Sequence, residues 1–181
     1  MLVEETKLKG SYILQPKVFK DKRGYFIESY NKKVFKKATG LEVDFIQDNE
    51  SMSSKGVLRG LHYQIGAYAQ AKLVRVIQGK VLDVMVDLRP NSLTYGENVS
   101  LLLSGENKTQ LFIPRGFAHG FLVLEDKTIF SYKCDNPYNK EAEAGIIYND
   151  KNLNIDWKLS GVEPIISDKD LLLPTLENAR L

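Results

Sequence analysis

Gly56-Val57-Leu58-Arg59-Gly60-Leu61-His62-Tyr63-Gln64 is an apolar run interrupted by one arginine, one histidine and two glycines. Its length and its Val, Leu and Tyr content suit a short strand. The same signal recurs downstream over 72–78, 80–88, 98–103, 110–113, 120–124, 128–134 and 145–148, with turns at Gly79-Lys80 and Arg89-Pro90-Asn91-Ser92. About ten short strands with almost no helix between them define an all-β chain, a sandwich or a barrel. A jelly-roll β-barrel is the preferred form, because closure leaves fewer exposed edges.

Upstream, 11–14 and 24–30 read as strands around the turn residues Asp21-Lys22-Arg23-Gly24, and 43–48 reads as another strand. Residues 31–39 read as a short helix, with Asn31 capping its start and Gly40 ending it in the left-handed conformation. Downstream, the tail from Asp168 reads as short helix or irregular chain. With no repeats, low-complexity tracts or Gly/Ser linker, residues 1–181 are expected to form one domain. The last ~30 residues would be a C-terminal extension to it.

The 181 residues are 43% hydrophobic and 27% charged, which are globular values. No apolar run approaches the ~20 residues of a membrane helix, and the first residues lack the apolar segment of a signal peptide. A net charge of +2 with dispersed basic residues gives no general pull toward nucleic acid or membrane. Cys134 has no second cysteine to pair with, which favours a reducing, cytoplasmic location.

The chain has two histidines, His62 and His119, the second in Ile113-Pro114-Arg115-Gly116-Phe117-Ala118-His119-Gly120-Phe121. Both stand in apolar runs that also hold an arginine and two glycines, and both are expected to face one pocket. A catalytic zinc site wants three protein ligands, usually with closely spaced histidines, and the chain has neither His-X-His nor Cys-X-X-Cys. Two histidines and a carboxylate can still form a facial triad, so residue types alone leave a metal-dependent reading open. The other reading is proton transfer. Inverting a carbon beside a carbonyl needs a base, a group that holds the enolate oxygen, and an acid on the far face. Neutral imidazole, ammonium and phenol supply these three roles. Periodicity does not select which residues take them, and a core histidine or a packed strand tyrosine fits the pattern equally well. Arg59 is different, because a guanidinium in an apolar strand must find an anion or solvent. In a regular strand Arg59 and His62 would point to opposite faces, unless a bulge at Gly60 re-aims one of them.

The pair Arg59-Gly-Leu-His-Tyr-Gln64 and Ile113-Pro-Arg-Gly-Phe-Ala-His-Gly120 resembles the dTDP-4-dehydrorhamnose 3,5-epimerase family. Further matching segments are 21–28, 47–49, 71–75, 86–89, 94–96, 132–133 and 167–170, in family order along nearly the whole chain. The resemblance implies a cupin-like jelly roll that uses no metal and no cofactor. It implies a homodimer in which N-terminal strands, within residues 1–50, cross between subunits. The implied reaction inverts C3 and C5 of a dTDP-linked 4-keto-6-deoxyhexose; a narrower epimerase acting at one carbon, or on a related nucleotide sugar, is the alternative. On the family pattern His62 is the base, paired with Asp170. Lys72 stabilises the enolate and Tyr132 is the acid. His119 lies against the sugar, Arg59 and Arg23 bind the diphosphate, and Tyr138 stacks on thymine. Glu28, Gln47, Asp48 and Asn49 match nucleotide contacts, within the same subunit or across the dimer, and Glu143 and Lys169 fall at further binding positions.

Overall fold

The computed structural model describes residues 1–159, 161 and 163–181. Among them thirteen strands build two facing antiparallel sheets and one separate hairpin. The six-stranded sheet has the order β1 (Leu2–Glu5), β2 (Tyr12–Gln15), β10 (Gln110–Ile113), β7 (Lys72–Gln78), β12 (Thr128–Cys134), β5 (Gln47–Ser53). The five-stranded sheet has the order β13 (Glu143–Gly145), β6 (Leu58–Gln64), β11 (Phe117–Val123), β8 (Lys80–Asp87), β9 (Asn98–Ser104). The hairpin pairs β3 (Val18–Asp21) with β4 (Gly24–Ile27). This is the expected all-β, cupin-like jelly roll.

Side-chain alternation sets the layers. Val74, Val76, Met85, Phe117, Phe121 and Phe130 fill the space between the sheets. The intervening residues Val84, Val86, Ala118 and Leu122 pack outward, under Ile146, Leu153 and Trp157 of the C-terminal segment. The five-stranded sheet is therefore covered on both faces, which is why β8 and β11 read as nearly unbroken apolar runs. Helix α1 (Lys32–Thr39) seats Phe35 with Leu14, Leu73 and Phe112 on the outer face of the other sheet. Asn31 caps α1 by accepting from the Lys33 and Val34 N–H groups, and Gly40 ends it at φ +74°. Both features match the sequence reading.

The structure corrects several boundaries. The strand expected over 43–48 begins at Gln47 and runs to Ser53. Phe45 belongs instead to an aromatic cluster with Tyr30, Phe35 and Phe112. Apolar content there signals packing, while the polar residues that follow carry the ladder to β12. The strand expected over 145–148 is Glu143–Gly145, and the one expected over 120–124 begins at Phe117. The short strands β1 and β3 are additional to the sequence reading. Residues Asp168–Leu171 form the short helix α2.

Candidate active site

Strands β6 and β11 place His62 and His119 directly opposite each other. The four residues of β6 from Arg59 to His62 oppose the three of β11 from Phe121 to His119, so β6 bulges at Gly60. The bulge turns Arg59 and His62 onto one cavity, which both line. Gly60 sits at φ +112°, and a Cβ there would lie 2.6 Å from the Gly120 Cα, so glycine is required by both conformation and space.

The cavity has a volume of about 500 Å³ and lies between the sheets. His62, His119 and Arg59 enter from the five-stranded sheet, and Lys72 and Tyr132 from the six-stranded one. Asp170 and Lys169 on α2 close one side. A second lobe of about 210 Å³ shares His62, Lys72 and Tyr132, and adds Gln47, Asn49, Tyr138 and Glu143.

Each histidine has its own carboxylate. His62 Nε2 lies 2.8 Å from Asp170 Oδ1, and Asp170 Oδ2 accepts from the Gly60 N–H at 3.2 Å. His119 Nε2 lies 2.9 Å from Asp83 Oδ2. Donating Nε2–H to the carboxylate leaves Nδ1 of His62 as the nitrogen able to take a proton. Burial pushes the Asp170 carboxyl up, but hydrogen bonds from His62, the Gly60 N–H and Ser167 outweigh it, and the net shift is downward.

Burial pulls the Lys72 ammonium below the usual lysine range, opposed by Cys134, Asp83 and Glu143. Burial also raises the Tyr132 phenol, with Cys134 adding to the rise and Arg59 opposing it, so the phenol keeps its proton at neutral pH. The Arg59 guanidinium bonds to Ser53 Oγ at 3.2 Å and leaves other donors facing the cavity. At the rim, Glu143 accepts from Lys169 Nζ at 2.6 Å and from the Tyr138 hydroxyl at 2.9 Å. The Tyr138 ring is exposed.

Eleven of the residues singled out from the sequence meet at these two lobes: His62, Lys72, Tyr132, Asp170, Arg59, His119, Lys169, Gln47, Asn49, Tyr138 and Glu143. Three do not line them. Arg23 sits on the β3–β4 hairpin, ion-paired with Asp21 over a separate shallow depression. Glu28 is exposed and accepts from Asn31. Asp48 points to the outer face of its sheet and pairs with Lys133 at 2.8 Å. Alternation explains Asp48: Gln47 and Asn49 face the cavity, so the residue between them cannot. Asp83 and Gln64 were missed. The signal for Asp83 was present, an acid inside the apolar run Val81-Leu-Asp-Val-Met-Val86. Among the described residues no group of three or more His, Cys, Asp and Glu side chains is arranged to hold a metal ion.

Fold and site together define a cupin-like protein with an interior acid–base centre. The chain belongs to the dTDP-4-dehydrorhamnose 3,5-epimerase family, whose model matches residues 5–178. It is 54% identical over 171 residues to the Shigella flexneri dTDP-4-dehydrorhamnose 3,5-epimerase, covering 94% of this chain and 93% of that one. The crystal structure of the Elizabethkingia anophelis dTDP-4-dehydrorhamnose 3,5-epimerase superposes with a TM-score of 0.93 at 54% identity, covering 97% and 96% of the two chains. The Legionella pneumophila dTDP-6-deoxy-D-glucose-3,5-epimerase, solved in complex with dTDP-4-keto-L-rhamnose, gives a TM-score of 0.93 at 46% identity, covering 97% and 93%.

Proposed function

We propose that this chain is a dTDP-4-dehydrorhamnose 3,5-epimerase. It converts dTDP-4-dehydro-6-deoxy-D-glucose to dTDP-4-dehydro-L-rhamnose without a metal or cofactor. The observation that carries the reading is that His62 and Tyr132 project from opposite sheets into one cavity. A hexose ring between them would present one face to an imidazole and the other to a phenol.

His62 takes the proton from the carbon beside the C4 ketone, and Asp170 supports the imidazolium that forms. The electron pair moves onto the C4 oxygen, where the Lys72 ammonium stabilises the enolate. Tyr132 then gives a proton to the same carbon from the other face, and solvent restores the two side chains. Repeating the sequence at the second α-carbon completes the double inversion. Arg59 binds the diphosphate, Tyr138 stacks on thymine, and Gln47 and Asn49 reach the nucleotide. His119, Glu143 and Lys169 contact the sugar.

Arg23, Glu28 and Asp48 join this scheme through a homodimer. The β3–β4 hairpin pairs with neither main sheet and carries exposed Phe19, Tyr25 and Phe26. It is the part of the N-terminal segment suited to reach a partner's cavity, bringing Arg23 to the diphosphate and Glu28 to the nucleotide. No helix among the described residues is long and apolar enough to cross a membrane, and the buried, unpaired Cys134 accords with a cytoplasmic enzyme.

The test is incubation with the dTDP-linked 4-keto sugar in heavy water, followed by NMR at C3 and C5. Deuterium at both carbons of an inverted product is expected, and His62→Ala should abolish it. Normal exchange by that variant would remove His62 from the base role. Deuterium at one carbon only would reduce the reaction to a single epimerisation.

A further inference from the structure

Arg59 belongs to the five-stranded sheet, but its guanidinium is held by a residue of the other sheet, Ser53 at the end of β5. Ser53 Oγ accepts from Nη2 at 3.2 Å and from Nε at 3.4 Å. Ser53 is buried, and alternation puts it on the inward face with Gln47, Asn49 and Ser51, while Asp48, Glu50 and Met52 are exposed. The pairing of Ser53 with Thr128 in the ladder fixes the backbone that carries the hydroxyl. The bulge at Gly60 sets the direction in which Arg59 leaves its own strand. The arginine is thus fixed at both ends.

A guanidinium carries five N–H donors in one plane. Ser53 takes the Nε–H and one Nη2–H, along one side of that plane. The second Nη2–H and both Nη1–H groups remain, and they include the end-on pair that grips two oxygens of a phosphate. The partner is also neutral. Arg89 and Arg115 are ion-paired with Asp87 and Asp135. Arg59 forms no ion pair among the described residues, although the Glu50 carboxylate lines the same cavity. A carboxylate would orient the guanidinium as firmly, but it would repel an incoming anion and offset the charge that attracts it. A hydroxyl orients it and leaves the charge whole.

We propose that Ser53 is a positioning residue for anion binding: its hydroxyl holds the Arg59 guanidinium so that the free end of the fork takes a diphosphate. That the anion is the diphosphate of a nucleotide sugar rests on the proposed epimerase reading; the Ser53–Arg59 bond does not. An arginine already ordered before the ligand arrives loses less side-chain freedom on binding, so the effect of Ser53 is on affinity.

The experiment is calorimetric titration with dTDP, and turnover of the dTDP-linked 4-keto sugar, for wild type, Ser53→Ala, Ser53→Thr, Arg59→Met and the Ser53→Ala/Arg59→Met double variant. Ser53→Ala should weaken dTDP binding about tenfold, the scale of one hydrogen bond to a charged group, and raise KM to match with kcat within about twofold. Ser53→Thr keeps the hydroxyl and should bind within about threefold of wild type. In the Arg59→Met background Ser53→Ala should cost less than about twofold, because no guanidinium is left to hold. Unchanged dTDP affinity in Ser53→Ala, or a full tenfold loss repeated in the Arg59→Met background, overturns the proposal. Should Ser53→Ala fail to fold, Ser53→Cys, close in size and a far weaker acceptor, takes its place in the same comparison. If Arg59→Met binds dTDP as wild type does, Arg59 is no diphosphate ligand and the proposal falls with it. If wild type binds dTDP but exchanges no hydrogen, the epimerase reading fails, and the titrations still decide the role of Ser53.

Discussion

Asp170 reaches across 108 positions of sequence to accept from both the ring of His62 and the backbone N–H of Gly60. One carboxylate thereby fixes the imidazole and the bulge that aims it. Replacing Asp170 by Asn keeps the shape and removes the charge that supports the imidazolium. The expected loss in kcat is about 10⁴-fold, the scale of an Asp→Asn change behind a catalytic histidine in a protease triad, with little change in KM. Steady-state kinetics on the keto sugar checks this; a KM effect at unchanged kcat would place Asp170 in binding.

Tyr132 and His62 are separable by isotope. With Tyr132→Phe the imidazole still removes hydrogen and returns it to the same face. Solvent deuterium should enter the substrate with retained configuration, while inverted product falls about 100-fold or more. Loss of exchange and inversion together would contradict the division of labour between the two faces.

Gln64 is buried and joins two loops at the second lobe. Its side-chain NH₂ donates to the carbonyls of Tyr68 and Pro137, and its oxygen accepts from the Asn139 N–H. Tyr138 lies between the last two of these anchors. Gln64→Ala leaves buried backbone groups unpaired, at about 1–3 kcal/mol. We expect a KM for the nucleotide sugar raised about tenfold at nearly unchanged kcat, since the loop that carries Tyr138 loses its anchor while the proton-transfer groups stay in place. Calorimetric titration with dTDP should show the same loss.

Gly60→Ala tests the bulge directly. The added methyl meets the Gly120 Cα at 2.6 Å and the His119 carbonyl at 2.7 Å, at a backbone angle unsuited to alanine. Strain and overpacking together predict a loss of about 2–5 kcal/mol in urea unfolding. A variant as stable as wild type would mean that the strand can pair without the bulge.

Asp87 governs stability in acid. Burial alone would raise its carboxyl, but hydrogen bonds from Arg89, Ser92 and Thr94 outweigh this and hold it far below the usual carboxylate range. The folded value lies below the unfolded one, so the contribution is full above about pH 4 and is lost as pH falls through the folded value. Wild type should therefore lose stability steeply below about pH 4, and Asp87→Asn should start lower and fall less. Thermal unfolding between pH 2 and 7 measures both slopes.

The layered β architecture was legible because its signals are local. Alternation, turn residues and caps announce themselves within a few positions, and β7, β10 and β12 lie where those signals put them. The 43–48 segment misled because Phe45 is apolar for the sake of an aromatic cluster, not a strand face. Asp83 was visible as an acid in an apolar run, yet its partner His119 lies 36 positions away on the neighbouring strand β11.

The chain's own order of residues determined that it would be all-β, where most strands and the capped helix fall, and, through motif resemblance, on which residues the proton-transfer roles were expected to fall. Only the tertiary structure decided that Arg59 and His62 share a cavity, that each histidine has a separate carboxylate, and that Arg23, Glu28 and Asp48 lie off that cavity in a single chain. The physical reason is range. Backbone preference acts over a few residues, whereas a bulge in one strand is fixed by the register of its neighbour, and a buried carboxylate is matched by whatever distant segment folds against it.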